Sequence, residues 1–112
     1  MSVLVIAEHD NNNLKGSTLN TVSAACNLSD DVNLLIAGSN IENVVSESQS
    51  LDGVSKILKC DSETYVNAIA EDLSSLVLCN SDGFSHILAP ATTFGKNLMP
   101  RISAMLDSQQ IS

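Results

Sequence analysis

The sequence predicts an α/β fold: a parallel sheet with helices on both faces. Three observations predict it. Strand-like and helix-like stretches alternate four times, with strands beginning near residues 3, 32, 54 and 85. The first strand is a continuous apolar, β-branched run, the signature of a strand covered on both faces. No Pro- or Gly-rich linker interrupts the chain, so one domain spans residues 1–112. Such alternation implies parallel strands joined by right-handed crossovers.

In order, residues 3–7 form the first strand and Glu8-His9-Asp10-Asn11-Asn12-Asn13 a polar loop. Gly16-Ser17-Thr18 offers hydroxyl caps for a helix in which Leu19, Val22 and Cys26 recur at helical spacing. Residues 32–37 form a second strand, ended by Gly38. Asn40 can cap a short helix whose Ile41, Val44 and Val45 share a face. Residues 54–59 read as a third strand, with imperfect alternation and two lysines that suit an exposed position. Asp61-Ser62-Glu63 supplies a cap and acidic first-turn residues, which the helix dipole favours. Val66, Ile69, Ala70, Leu73, Leu76 and Val77 then make a long apolar stripe, and Ser81-Asp82-Gly83 turns the chain. Residues 85–89 form the fourth strand, stopped by Pro90. The last helix carries Leu98, Ile102, Met105 and Leu106 on one side. If it starts at Thr93, Pro100 kinks it; if it starts nearer Asn97, Pro100 falls in the first turn. Four strands make a thin parallel sheet, and a further strand is expected after Gln110-Ile111-Ser112. The chain therefore reads as truncated after its fourth strand–helix unit.

Composition narrows the function classes. Hydrophobic residues make up 44% of 112, enough for one modest core, but aromatics are only 3%, so that core is aliphatic. The net charge of −8 disfavours nucleic acid and anionic membrane surfaces, both of which need clustered Lys and Arg. Cys26, Cys60 and Cys79 are widely spaced and lie in no Cys/His cluster, so they read as buried reduced thiols and not as a zinc site. No stretch approaches the roughly 18 apolar residues of a membrane span. The start runs directly into a strand, which leaves no room for a signal or transit peptide.

Ligands of open parallel sheets bind beyond the carboxyl ends of the strands. There, Glu8-His9-Asp10 could be drawn as an acid/base or metal site, and equally as an ordinary solvated loop, which is the reading adopted. His86 lies in the fourth strand with no evident partner. No Ser/His/Asp arrangement and no glycine-rich phosphate cradle is present. The distinctive stretch is residues 89–101. Small residues end the strand, Gly95 allows close approach, and Lys96 and Arg101 flank a helix start. Thr92, Thr93 and Lys96 could hold an anion there. Capping by a threonine, with Gly95 packed on the sheet, explains the same residues and is preferred. No catalytic, cofactor-binding or metal residue is assigned.

Two segments carry a family resemblance. Val3-Leu4-Val5-Ile6-Ala7-Glu8-His9, followed by Leu19-Asn20-Thr21, resembles the opening of electron transfer flavoprotein α subunits. Ser85-His86-Ile87-Leu88-Ala89-Pro90-Ala91-Thr92-Thr93-Phe94-Gly95-Lys96-Asn97-Leu98-Met99-Pro100-Arg101 resembles them again. The likeness is weaker over residues 28–79 and covers only the front part of the family's chain. It implies an N-terminal domain of the Rossmann-like, adenine-nucleotide α-hydrolase type, a scaffold facing the β subunit. It implies an electron carrier, not an enzyme, that takes electrons from flavin dehydrogenases such as acyl-CoA dehydrogenases to a membrane quinone reductase. FAD belongs to a C-terminal domain this sequence lacks, and the family's AMP belongs to the β subunit. The resemblance implies a bacterial cytoplasmic or mitochondrial matrix location. Two other classes compete: a free-standing nucleotide-binding domain resembling universal stress proteins, with residues 91–96 as phosphate loop, and a small hydrolase using His9.

Overall fold

Four parallel strands form one sheet in the computed structural model, which describes residues 2–10, 12–61, 76–77, 83–90 and 92. Among these the elements are β1 (Ser2–Ile6), α1 (Gly16–Leu28), β2 (Asp31–Gly38), α2 (Glu42–Ser48), β3 (Val54–Asp61) and β4 (His86–Leu88). The sheet order is β3-β2-β1-β4. β1 pairs from Ser2–Asp31 to Ile6–Leu35 with β2, and from Val3–His86 to Val5–Leu88 with β4. Single backbone bonds extend both ladders: Ala7 N–H donates to Leu35 and Ser85 N–H to Ser2, each at 2.9 Å.

The α/β expectation holds, and the core shows why. Successive strand residues point to opposite faces. On one face Val3, Val5, Val32, Leu34, Ile36 and Leu88 meet Val22 and Ala25 of α1 and Ile41 and Val44 at α2. On the other, Leu4, Ile6, Leu35, Ala37 and Ala89 meet the helical residue Val77. Both faces are covered, so β1 and β2 read as apolar runs without alternation. Fully burying each such side chain contributes about 1.5–3 kcal/mol, which concentrates the core's stability in these two central strands.

β3 explains its own imperfect pattern. It pairs with β2 as Val32–Val54 and then Asn33–Lys56, so Ser55 is an extra residue in the ladder. That bulge returns Val54 and Ile57, three apart, to the same face. The strand runs two residues beyond the expected 54–59, to Asp61, where its carboxylate has a partner. Lys56 and Lys59 are exposed on this edge, where charge blunts further pairing.

Several local expectations are corrected. Neither Ser17 nor Thr18 caps α1: Lys15 is in the cap position without a side-chain bond, and both hydroxyls reach back to Glu8. Thr18, Val22 and Ala25 form the buried stripe, while Leu19 is 40% exposed. Engaging Thr18 with the end of β1 sets that rotation of the helix. Asn40 does not cap α2 with its side chain. It holds a left-handed backbone (φ 56), and Asp61 accepts the N–H groups of Asn40 (2.9 Å) and Ile41 (3.3 Å) from the neighbouring strand. Ile41 precedes the helix, yet is fully buried beside Val44 as its spacing implied. β4 is shorter than residues 85–89. Cys26 and Cys60 are half-buried, not buried, and belong to opposite faces of the sheet. The expected caps at residues 62–63, the stripe from Val66 to Leu73, Cys79 and the last helix with Pro100 lie outside the described residues.

Candidate functional site

The order β3-β2-β1-β4 makes the chain leave β1 towards β2 on one side and return from β3 to β4 on the other. A crevice therefore opens at the carboxyl ends of β1 and β4, the place where such sheets bind ligands. A cleft of about 320 Å³ lies there, lined by Ser17, Asn20, Thr21 and Ala24 of α1 and by Leu88, Ala89 and Thr92.

Glu8, two residues beyond β1, organises this end of the sheet. Its backbone is closed by Thr18, whose fully buried hydroxyl accepts the Glu8 N–H at 2.8 Å and donates to the Glu8 carbonyl at 2.9 Å. Lys15 N–H donates to the same carbonyl at 3.0 Å. The carboxylate oxygen Oε1 accepts the hydroxyls of Ser17 and Thr92, each at 3.0 Å. One side chain thus joins the end of β1, the start of α1 and the segment after β4.

The three neighbours that suggested a site diverge. Glu8 faces Ser17 and Thr92. His9 donates Nε2–H to the Ala37 carbonyl at 2.7 Å, across to the end of β2. Asp10 turns into its own loop, where Oδ1 accepts the N–H groups of Asn13 (2.8 Å) and Asn12 (3.0 Å). The Asn13 bond, then the Asn12 bond, holds the Asp10 carboxyl below the ordinary carboxylate range. Glu47 of α2 closes the loop by accepting Leu14 N–H at 3.0 Å. Three adjacent polar residues stabilise three separate joints, and among the described residues no three His, Cys, Asp or Glu side chains converge as a metal site.

His86 has a partner after all. Its Nδ1 lies 3.0 Å from Ser85 Oγ, whose hydroxyl donates to the Ser2 carbonyl at 3.0 Å. With the hydroxyl proton committed to Ser2, the contact is His86 Nδ1–H donating to Ser85. That polarity leaves the serine unactivated as a nucleophile, and the pair sits at the amino end of β4, away from the cleft. At the same end Ser2 Oγ donates to Asp31. This bond is the main reason the Asp31 carboxyl lies below its ordinary range, assisted by Asn33 against partial desolvation.

Of the residues weighed for an anion site, Thr92 is placed at the cleft with its hydroxyl on Glu8, while Thr93, Gly95, Lys96 and Arg101 lie outside the described residues. The sequence reading missed Ser17, Thr18 and Thr92 as partners of Glu8. The available signal was an acidic residue just past a strand, followed by a Ser-Thr pair at the next helix start. Among the described residues no helix is long and apolar enough to cross a membrane.

Comparison with known proteins adds a sequence-wide relation. Residues 3–112 match the family described as electron transfer flavoprotein domain. Electron transfer flavoprotein subunit alpha of Pseudomonas aeruginosa is 45% identical over 112 residues, covering 100% of this chain and 36% of that protein. The mitochondrial subunit alpha of Dictyostelium discoideum is 38% identical over 97% of this chain and 33% of its own length. That of Arabidopsis thaliana is 37% identical over 100% of this chain and 33% of its own. The chain spans about a third of the length of the curated relatives it matches.

Proposed function

Because the chain belongs to the electron transfer flavoprotein family, we propose that it is the N-terminal domain of an α subunit. In this reading it scaffolds a heterodimer and contacts the β subunit without gripping the flavin. The observation that carries the proposal is the match of relatives named subunit alpha along essentially the whole chain.

The site's physical character supports the scaffold reading. The place where a doubly wound sheet would receive a ligand is tied up by Glu8, Ser17 and Thr92 in mutual hydrogen bonds. Its lining among the described residues contains no basic side chain. His9, Asp10 and Glu47 each satisfy backbone groups and so serve the loop's shape. FAD is assigned to the remaining length of the relatives. The assembled heterodimer carries electrons from flavin dehydrogenases to a membrane quinone reductase, and the chain itself catalyses no reaction. Its location follows its source: the cytoplasm in a bacterium, the mitochondrial matrix in a eukaryote.

The experiment is flavin retention. The protein is purified after saturation with FAD and desalted, and its blue absorbance is read. A colourless protein is expected. Stoichiometric FAD held through desalting contradicts the assignment of the flavin to another part.

A further inference from the structure

We propose that Glu8 is an internal anion that closes the switch-point cleft to phosphate, and is thereby the residue that sets this domain's ligand specificity. The inference rests on the scaffold reading above and deepens it. The cleft has a ligand's dimensions, about 320 Å³, and the position at which open parallel sheets take ligands. The hydroxyls of Ser17 and Thr92, drawn from either side of it, are the donors a phosphate oxygen would use there. Both are instead spent on one oxygen of Glu8, at 3.0 Å each.

Position makes this occupancy hard to displace. Glu8 is anchored by its own backbone, through the buried Thr18 hydroxyl and Lys15 N–H, so its side chain starts from a fixed point beside the cleft. A phosphate approaching Ser17 and Thr92 meets a carboxylate already seated on them. Repulsion between like charges at such range is strong, and no basic side chain among the described lining residues offsets it. Among the described residues, neutral Asn20 and Thr21 are the other polar groups of the lining. Glu8 stands behind the lining residues Ser17 and Thr92, so an uncharged group in the cleft meets no repulsion, whereas a phosphate monoester taking those two hydroxyls must approach its carboxylate.

The test compares the wild type with Glu8→Gln and Glu8→Ser by thermal melting and calorimetric titration. AMP and inorganic phosphate are the anionic probes and adenosine the uncharged control. Melting without ligand first establishes which variants are folded. Glu8→Gln retains size and hydrogen-bonding capacity, so it carries the test if Glu8→Ser does not fold. Expected are no AMP-dependent shift for the wild type and at least tenfold tighter AMP binding in a folded variant, with adenosine binding unchanged. If every folded variant stays as blank as the wild type, the inference falls and the scaffold reading stands. If AMP binds the wild type tightly with Glu8 in place, both fall. A gain shared equally by AMP and adenosine also overturns the inference, because removal of charge was then not the cause.

Discussion

Gly53→Ala separates two costs that the structure places at one residue. Gly53 enters β3 with φ +88, a backbone that costs an L-residue about 1–2 kcal/mol. A Cβ there would lie 2.5 Å from Cys26 Sγ and 3.7 Å from Cys26 Cβ. The second distance is ordinary contact, but the first requires the thiol to move. Cys26 is half-buried against the core, and pushing its χ1 off a rotamer costs about 0.5–1.5 kcal/mol. Gly53→Ala is therefore expected to destabilise by about 1.5–3.5 kcal/mol in total. In a Cys26→Ala background only the backbone cost remains, so the two sites couple by about 1 kcal/mol. Urea unfolding measures this: with a slope of about 1–3 kcal/mol per molar, the Gly53→Ala midpoint falls by about 0.5 M or more. Equal costs in both backgrounds would refute the contact with Cys26. No cost in either would refute the strained backbone at Gly53.

Thr18→Val keeps the shape of a fully buried residue but strands the Glu8 N–H, because Lys15 still serves the Glu8 carbonyl and nothing replaces the acceptor. A loss of about 1–3 kcal/mol is expected by denaturant titration, with most of it restored in Thr18→Ser. Asp31 gives a pH signature. Its folded pKa lies below the ordinary value, so its contribution is present above the unfolded pKa and is lost as pH falls through the folded one. Melting between about pH 5 and pH 2 should show a shallower loss for Asp31→Asn than for the wild type, and identical slopes would mean that Asp31 carries no such linkage.

The sequence disclosed the layers more readily than the joints. Val3 to Ala7 and Leu34 to Ala37 carry their burial in their composition, because a strand covered on both faces has no polar side to show. The bulge at Ser55 blurred the third strand, since one extra residue shifts the two-residue period that the eye follows. Caps were the least legible. Ser17 and Thr18 look like helix caps, yet Thr18's hydroxyl serves a residue ten positions back. Asp61 steadies a helix that begins nineteen residues earlier in the chain. Local patterns cannot reveal a partner that only the sheet's parallel pairing brings near. The same holds for Thr92 and Glu8, 84 residues apart in sequence and joined only because β4 lies beside β1. Glu8-His9-Asp10 shows the converse, as adjacency in sequence sends three side chains to three different destinations.

The central claim is that this domain holds the β subunit and not the flavin. Size-exclusion chromatography of the protein with an electron transfer flavoprotein β subunit and excess FAD, followed in the ultraviolet and the blue, tests it most directly. The account predicts a shifted peak containing both polypeptides, and no blue absorbance in the peak of the protein alone. Stoichiometric flavin in that lone peak, with no shift on addition of the β subunit, would contradict it.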